Sequence, residues 1–432
     1  MKKLLQLKLK LLAKLILWKY RPKVIGITGS IGKSSTKEAV YAVLASKYNV
    51  RRSDKNYNNE LGLPLTIIGA SATGKNIFGW CAVILKALTI LIWRDKNYPP
   101  ILILEMGVDR PRDMEYLLKI VKPHIGIMTA VGSAHLEFFN SREDIAAEKG
   151  KLIVGLNKNN WAILNSDDKL VKKYVKNTEA QVLTYGFNKS AAVFADYLMF
   201  SYREGGNDLN SLQGVSFKVD CQGSTVPILL PHSLGVGQVY AALAAISVGI
   251  IYGINLVEIA NSLRQLVPPK GRMNLIKGIK ETMIIDDTYN ASPQATLAAL
   301  DTLSKIPLPS SSRRFAVLGD MLELGSASVE EHHAVGQKVA ELKIDFLVTV
   351  GERARDIKRG ATEAGMAPDD IFNFSAAEEA KKFVQDRINS GDLILVKGSQ
   401  GMRMERVVKE IMAEPLKAKE LLVRQEEEWK NK

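Results

Sequence analysis

The chain has 432 residues, of which 46% are apolar and 24% charged, a composition that suits two or three packed domains and excludes a largely disordered protein. Its two cysteines, Cys81 and Cys221, exclude a disulfide framework and a cysteine-rich metal site, and predict a reducing, cytoplasmic location. Eight of the 13 net positive charges lie in residues 1–24, and the rest of the chain is only mildly basic and carries no nucleic-acid-binding motif, so no nucleic-acid partner is predicted.

Residues 1–22 predict a short basic amphipathic helix. Lysines interrupt the apolar stretch, and no small-residue cleavage site follows it, which argues against a signal peptide. The longest unbroken apolar run, Leu15–Trp18, is far too short to span a bilayer. Two interpretations remain open: peripheral contact of residues 1–20 with the inner face of a membrane, or packing of the helix on the body of the protein.

Strand and helix patterns then alternate, which predicts an α/β fold with a mostly parallel sheet. Predicted strands are 23–29, 101–105, 125–129 and 161–165, and predicted helices are 35–47, 111–119 and 141–156. The apolar segment 77–93 contains Lys86 and predicts a buried or interfacial helix more readily than a membrane hairpin.

Two prolines at 268–269 mark a linker, after which a second α/β alternation begins. Its predicted strands are 283–286, 315–318, 346–350 and 393–396, and the residues from Glu414 predict a charged helix or a solvated tail. The predicted organisation is a helix at 1–22, a central ATP-binding domain at 23–267 and a C-terminal Rossmann-like domain at 268–432.

A glycine-rich loop links the strand at 23–29 to the following helix. Its residues are Thr28, Gly29, Ser30, Ile31, Gly32, Lys33, Ser34 and Ser35. Glycines let backbone N–H groups turn toward a phosphate, and the helix N-terminus and Lys33 add positive charge. Ser34 stands where a hydroxyl ligates Mg²⁺. Because Ile27 replaces the first Walker A glycine, this is the shorter T-G-x-x-G-K-[ST] form, and it predicts ATP binding.

From this loop onward the chain resembles the Mur ligase family. The matching segments are NYNNELGLPLT at 56–66, LEMGVDRPRDMEYL at 104–117, TAVGSAHLEFF at 129–139, SREDIAAEKGKL at 141–152, KGRMN at 270–274, IDDTYNASPQATLAAL at 285–300, VLGDMLELG at 317–325 and LVKGSQGMRME at 395–405. The segments at 285–300 and 317–325 resemble the MurF branch, which adds D-alanyl-D-alanine to a muramoyl-tripeptide during peptidoglycan synthesis. The resemblance implies a P-loop ATPase domain, a Rossmann-like domain and amide-bond formation through an acyl phosphate.

The resemblance also implies site residues. Glu105 matches a Mg²⁺ ligand, His135 a ligand of a second Mg²⁺, and Lys149 a lysine that CO₂ converts to a carbamate; with Lys33 these are the expected catalytic residues. Judged alone, Glu105 could be a surface acid, His135 a capping histidine and Lys149 a solvated lysine. The residues that match contacts to ATP across the linker are Arg272, Asp287, Tyr289 and Asn290.

The expected substrate contacts are Asn58 and Asn59 near the sugar-peptide, and Lys397 and Ser399 near the incoming amine, with turns of purely structural purpose as the alternative. The family's Gly-Arg-His-Asn segment appears here as LGVGQVYAALAA at 234–245, which replaces the residues expected at one base-side contact to ATP and puts that contact in doubt. Only about 27 residues precede Thr28, so the family's uridine-diphosphate-binding domain is expected to be missing. Two forms of the muramoyl-tripeptide donor therefore remain open: one linked to uridine diphosphate and one linked to a lipid.

Three functions compete. The first is ligation of D-alanyl-D-alanine to a muramoyl-tripeptide by a monomer. The second is another amide ligase of the superfamily, similar to folylpoly- or poly-γ-glutamate synthases. The third is a non-catalytic ATP-binding scaffold, which has no need for the combination of Lys33, Glu105, His135 and Lys149.

Overall fold

The computed structural model describes residues 2–53, 57–74, 76–133, 137–206 and 208–429. Ahead of the linker the helices are α1 (Lys2–Tyr20), α2 (Lys33–Ala45), α3 (Gly62–Ile68), α4 (Ile77–Ile92), α5 (Asp113–Leu118), α6 (Arg142–Val154), α7 (Lys169–Lys172), α8 (Val236–Ile251) and α9 (Leu256–Arg264). After it they are α10 (Pro293–Lys305), α11 (Ser328–Glu341), α12 (Arg355–Glu363), α13 (Ala377–Arg387), α14 (Glu405–Ile411) and α15 (Ala418–Leu421).

The first sheet contains nine strands within the described residues, in the spatial order β2-β3-β1-β4-β5-β6-β7-β8-β9. They are β1 (Lys23–Thr28), β2 (Val50–Arg52), β3 (Ile101–Glu105), β4 (Ile125–Met128), β5 (Trp161–Asn165), β6 (Gln181–Gly186), β7 (Val193–Tyr202), β8 (Leu212–Cys221) and β9 (Ser224–Pro231). Pairing is parallel from β2 to β7 and antiparallel from β7 to β9. The sheet is thus mixed and mostly parallel.

The second sheet has six strands in the described part of the chain, in the order β10-β11-β15-β12-β13-β14. They are β10 (Asn274–Lys277), β11 (Met283–Asp287), β12 (Arg314–Gly319), β13 (Phe346–Val350), β14 (Ile371–Phe374) and β15 (Leu393–Lys397). Only the edge pair β10–β11 is antiparallel. Strands of both sheets that are buried on both faces are rich in valine, isoleucine and leucine, as helix-covered parallel strands require.

Register brings the functional strand ends together. In the first sheet Ile27 pairs with Glu105, so the glycine-rich loop 28–35 begins at the same edge of the sheet as the end of β3, where Glu105 lies. In the second sheet Asp287 pairs with Lys397 at the carboxyl ends of β11 and β15. Sites in open α/β sheets form at this edge, where loops after neighbouring strands converge.

The predicted strands of both halves are all present, and the parallel part of the first sheet is confirmed. The antiparallel extension β7–β9 was not predicted, because its strands mix polar and apolar residues and include the bulge between Asp196 and Met199. Apolar side chains of β7 and β8 pack in one cluster with α2 and α8, so tertiary burial selects the strand state there. The division at residues 267/268 stays a prediction.

The chain end differs from the expected solvated helix or tail. Residues from Glu414 form short turns and the single-turn helix α15. Arg424 is buried, and its guanidinium lies 2.8 Å from the Glu405 carboxylate, which is also buried. This paired charge holds the C-terminal segment against α14 and replaces solvation with an internal ion pair.

Segments 2–20 and 77–92 are both helical, as predicted. Leu9, Leu12, Ala13 and Ile16 of α1 are buried in the cluster that also takes Val83, Ala87 and Ile90 of α4. One face of α1 therefore packs on the body of the protein, as one of the two interpretations of this helix predicts. Across the described residues, no helix combines the length and apolar character needed to cross a membrane.

Candidate functional site

Two glycines shape the loop between β1 and α2. Gly29 has φ 143° and Gly32 has φ 87°, values in the region that favours glycine. A Cβ atom on Gly29 would lie 1.9 Å from Thr129 Oγ1, which itself donates to the carbonyls of Thr28 and Ile31 at 3.1 and 2.6 Å. Backbone strain and lack of space thus both require glycine, and the loop leads into the N-terminus of a 13-residue helix.

Side chains of this loop and of β3 meet in one cavity of about 260 Å³. Lys33 Nζ donates to Gly29 O at 2.7 Å, so the ammonium lies folded over the loop. Ser34 Oγ donates to Glu105 Oε2 at 3.0 Å, and both residues are buried. Burial lowers the pKa of Lys33, Glu105 opposes that shift and Arg272 adds to it. An anionic ligand would compensate these crowded positive charges.

Lys149 is fully buried on α6, which contradicts its interpretation as a solvated helix lysine. Its Nζ donates to Val108 O at 3.2 Å. Burial, reinforced by the charge of Lys33, lowers the pKa of Lys149 to about 7, although Asp109, Asp113 and Glu148 oppose the shift. Near neutral pH a large fraction of this side chain is the uncharged amine, the form that reacts with CO₂.

Arg272 precedes the first strand of the second sheet, and its positive charge lies beside the glycine-rich loop 28–35. It follows the linker, and its Nη2 donates to Ser34 Oγ at 3.2 Å. Its guanidinium lies 4.2 Å from the centre of the Tyr289 ring, a cation–π contact that fixes its direction. Gln238 Nε2 donates to Arg272 O at 2.9 Å and supports the backbone from α8. The two halves of the cleft are therefore in contact in this structure.

Asp287, Tyr289, Asn290 and Lys397 also line this cavity. Lys397 is buried, and its Nζ donates to Asp287 Oδ2 at 2.5 Å and to Asn290 O at 3.0 Å. The Lys397 charge is thus neutralised by Asp287. In this conformation Lys397 orders the segment 287–290. Its predicted contact to the incoming amine stays a prediction.

The remaining predicted residues have different positions. Asn58 lines the cavity beside Gly107. Asn59 is exposed, and its Oδ1 accepts from the N–H groups of Leu61 and Gly62, so it caps the start of α3. Ser399 is buried, and its Oγ accepts from Leu322 N at 2.9 Å. His135 lies outside the described residues.

A second cavity, of about 610 Å³, adjoins the first and shares Ile31, Gly32 and Gly237 with it. Tyr240 Oη donates to Asp167 Oδ2 at 3.0 Å at its wall. Nothing lies within 4 Å of a Cβ atom built on Gly237, so this part of the altered LGVGQVYAALAA segment leaves open space. The second cavity thus extends the space beside the glycine-rich loop.

Sequence analysis did not select Tyr185, Tyr240, Asp167 or Asp168, which line this second cavity. The sequence does carry one signal for them: Asp167 and Asp168 lie two and three residues after the carboxyl end of β5, the edge where parallel sheets place ligand contacts. Tyr185 Oη is buried without a hydrogen-bond partner, an atom that a bound ligand could satisfy.

The oxygen ligands expected for Mg²⁺ are present as a pair. Ser34 Oγ and Glu105 Oε2 lie 3.0 Å apart and are the hard oxygen donors that Mg²⁺ prefers. Within the described residues, no group of three histidine, cysteine or acidic side chains is arranged to hold a metal ion. Ser34 and Glu105 suit an ion whose remaining ligands are phosphate oxygens and water.

Comparison with known proteins identifies both halves. Residues 88–249 match the family model "Mur ligase middle domain", and residues 271–400 match "Mur ligase, glutamate ligase domain". Together these matches cover most of the chain, including strands β3–β9 of the first sheet and all six strands of the second.

Individual relatives give the same assignment. The UDP-N-acetylmuramoyl-tripeptide–D-alanyl-D-alanine ligase of Bacillus subtilis is 30% identical over 407 residues, 94% of this chain and 79% of the relative. MurF of Thermotoga maritima, solved in complex with ADP, is 29% identical, with a TM-score of 0.75 and coverage of 93% and 82%. MurF of Acinetobacter baumannii is 26% identical, with a TM-score of 0.76 and coverage of 93% and 79%.

Proposed function

The chain belongs to the Mur ligase family as an ATP-dependent, MurF-like amide ligase, and from that premise we propose that it joins D-alanyl-D-alanine to the free carboxylate of a muramoyl-tripeptide in peptidoglycan synthesis. The substrate assignment is supported by the name of its relative in Bacillus subtilis and by the two MurF-type segments, of which 285–300 lines the cavity. The alternative donor of the superfamily, a glutamate-bearing folate or polyglutamate, is not suggested by these segments.

One observation carries the reaction type. Lys33 and Ser34 from the first sheet and Arg272 from beyond the linker converge in one cavity, with Arg272 Nη2 3.2 Å from Ser34 Oγ. Transfer of a γ-phosphoryl group to a carboxylate, and then displacement of phosphate by an amine, both concentrate negative charge. Fixed cations and backbone N–H groups that meet this charge are the main catalytic resource for such steps.

The residues divide the work along the cleft. The loop from Thr28 to Ser35 and Lys33 hold the β- and γ-phosphates, and Arg272 closes over them. Asp287, Tyr289 and Asn290 face the ribose side, with Lys397 holding Asp287 in place. The base occupies the second cavity, beside Tyr240 and Asp167.

The metal ligands are proposed in the same way. Ser34 and Glu105 would hold one Mg²⁺, and His135 with Lys149 as a carbamate would hold a second. When bound, these ions neutralise phosphate charge, which is the Lewis-acid role of metals in phosphoryl transfer. Burial and a pKa of about 7 make Lys149 suited to carbamylation, because they maintain the neutral amine and exclude competing solvent.

The donor end of the cleft is assigned to the side of Asn58, and Asn59 supports that loop by capping α3. Ser399 orders the loop at Leu322 on the opposite side, where the incoming dipeptide amine is expected. In this arrangement the carboxylate meets the γ-phosphate from one half of the cleft, and the amine approaches the carbonyl carbon of the resulting acyl phosphate from the other half.

The proposal is tested by incubating the purified chain with Mg²⁺-ATP, UDP-MurNAc-tripeptide and D-alanyl-D-alanine, and following phosphate release and product mass. A muramoyl-pentapeptide formed in step with phosphate is the expected result. Each substrate omitted in turn is the control. Phosphate release and an amide product only with a glutamate acceptor and a folate or polyglutamate donor would overturn the substrate assignment.

A further inference from the structure

Helix α1 has two apolar stripes. The buried stripe, with Leu9, Leu12 and Ile16, packs on the protein. The other stripe recurs every three or four residues on the opposite face and is exposed: Leu4, Leu7, Leu11, Leu15 and Trp18. Trp18 is 73% exposed and Leu7 62%, so packing of α1 on the body accounts for only one of the two stripes.

Helix α4 has the same organisation. Val83, Ala87 and Ile90 are buried. Its outward face, continued by Trp93, exposes large apolar side chains at helical spacing: Ile77, Phe78, Leu85, Leu88, Ile92 and Trp93. Phe78 is 87% exposed. Of the 22 strongly exposed large apolar side chains among the described residues, 11 come from these two short segments.

The two helices form one surface. Lys19 Nζ donates to Ile90 O and Leu91 O at 2.9 Å each, and Tyr20 Oη donates to Ile90 O at 2.9 Å, which joins the C-terminal ends of α1 and α4. Their inward faces contribute to the same apolar cluster. Their outward faces therefore lie side by side, and together they are called the α1–α4 surface.

The charge of this surface has a single sign. The sequences of α1 and α4 contain seven lysines, six in α1 and Lys86 in α4, and no acidic residue. Lys8 and Lys14 are exposed, and at 100° per residue they flank the outward stripe of α1 on opposite sides. An apolar stripe bordered by lysines is the pattern of a helix that lies in the plane of a membrane interface.

We propose that the α1–α4 surface docks the protein, as a peripheral protein, on a membrane containing anionic lipids. The apolar stripes enter the boundary between head groups and acyl chains, and the lysines contact lipid phosphates. With 16 residues and a central lysine, α4 is too short to span the bilayer and lies along it. A second copy of the chain fits this surface poorly, because its lysines would face those of the first.

The test is flotation of the full chain with phosphatidylcholine vesicles and with vesicles containing one third phosphatidylglycerol. The protein should float with the anionic vesicles, and half-molar salt should weaken that binding. The emission of Trp18 and Trp93 should shift to shorter wavelength on binding, because both residues are exposed in the free protein. The assay needs no nucleotide or substrate, so its outcome is independent of the proposed reaction.

Two variants probe the two parts of the surface. Leu7→Gln, Leu11→Gln and Trp18→Gln together should abolish flotation, because they replace exposed side chains and leave the buried stripe intact. The control variant replaces three valines that are exposed elsewhere on the protein with the same polar residue: Val257→Gln, Val267→Gln and Val329→Gln. Far-ultraviolet circular dichroism and thermal melting verify the fold of each variant.

Charge is tested separately. Lys8→Glu with Lys14→Glu should weaken binding to anionic vesicles by more than about tenfold, since each lysine near such a surface contributes roughly fivefold. Lys172→Glu with Lys173→Glu changes the net charge equally at exposed positions outside the surface and should leave binding unchanged.

Three outcomes would overturn the proposal. The first is failure of the unmodified chain to float with anionic vesicles. The second is an equal loss of binding in the Lys8/Lys14 variant and in its Lys172/Lys173 control, which would show that only the net charge of the protein matters. The third is a concentration-dependent dimer in sedimentation velocity that only the Leu7, Leu11 and Trp18 substitutions abolish, which would assign the surface to a second copy.

Discussion

The phosphate end and the base end that we propose for the cleft are built in different ways. The phosphate end consists of a continuous loop, Thr28–Ser35, plus single residues from strand ends and the linker that match recognisable segments. The proposed base end is assembled from Asp167 and Tyr185, which belong to none of the matched segments, and from Tyr240, which lies in the altered segment at 234–245. Charge recognition at one end and shape recognition at the other explain the difference.

A phosphate imposes strict demands. It requires backbone N–H groups at a helix start, left-handed backbone at two positions and a cation at fixed distance, and only glycine and lysine at set spacing satisfy them. A nucleoside base needs a cavity and a few hydrogen bonds, which many side chains can provide. Removal of groups at the phosphate end should therefore reduce turnover, whereas changes at the base end should mainly alter nucleotide affinity.

The largest effect is expected for Lys33→Ala. Its ammonium is the loop's own cation, so kcat/KM should fall by roughly a thousandfold or more. Phosphate release measured over a range of ATP concentrations, with the other substrates saturating, gives this ratio. Lys173→Ala, at an exposed position, serves as the control. A loss below tenfold would show that Lys33 does not meet the transferred phosphate.

Lys149→Ala is expected to cost about a hundredfold in kcat, because an anionic carbamate would no longer hold a metal ion. Short carboxylates such as acetate should restore part of the activity by entering the space left by the side chain. The unmodified enzyme should lose activity when CO₂ and bicarbonate are removed. An active Lys149→Ala variant, or activity that is indifferent to bicarbonate, would contradict the carbamate.

Arg272→Ala should lower kcat by about tenfold to a hundredfold and leave the fold intact, since it removes a cation that reaches Ser34 from the other half of the cleft. Arg272→Lys keeps the charge but loses the planar stacking on Tyr289, and should recover only part of the rate. Steady-state kinetics with circular dichroism as a fold check decides this. Wild-type turnover in Arg272→Ala would remove Arg272 from the mechanism.

Tyr240→Phe should raise KM for ATP by about threefold to tenfold and leave kcat nearly unchanged, because it removes one hydrogen bond at the base-end wall. Tyr252→Phe, at a tyrosine that lines neither cavity, is the matched control. If kcat falls as strongly as for Arg272→Ala, the proposed separation between the two ends of the cleft is wrong.

The smallest effect concerns Asp286, a buried carboxyl on β11 that accepts hydrogen bonds from Thr288 behind the segment 287–290. Asp286 is fully buried, its Oδ2 has no hydrogen-bond partner, and burial raises its pKa to about 7. Between about pH 4 and 7 the folded state keeps a proton that the unfolded state has lost, so the free energy of unfolding should fall as pH rises through this window. Asp286→Asn should flatten that decline by about 1 kcal/mol or more in chemical unfolding. An unchanged pH profile would show that Asp286 is ionised in the folded protein.

Much of this architecture could be predicted from sequence. The buried parallel strands at 101–105, 161–165 and 346–350 have the predicted bounds, because short, largely apolar runs bordered by turns permit few alternatives. The burial of Arg424 and the extension β7–β9 could not be predicted, since both depend on partners distant in the chain. Position within the site was equally hidden: Asn58 lines the cavity, whereas Asn59 caps α3.

The most direct test of the account is to follow oxygen from the donor carboxylate. Muramoyl-tripeptide labelled with ¹⁸O in its reacting carboxyl group is incubated with the enzyme, Mg²⁺-ATP and D-alanyl-D-alanine. If the carboxylate attacks the γ-phosphate, one labelled oxygen per turnover must leave with the inorganic phosphate when the amine displaces it, and mass spectrometry should find it there. Amide formation with unlabelled phosphate would contradict an acyl-phosphate route in this cleft.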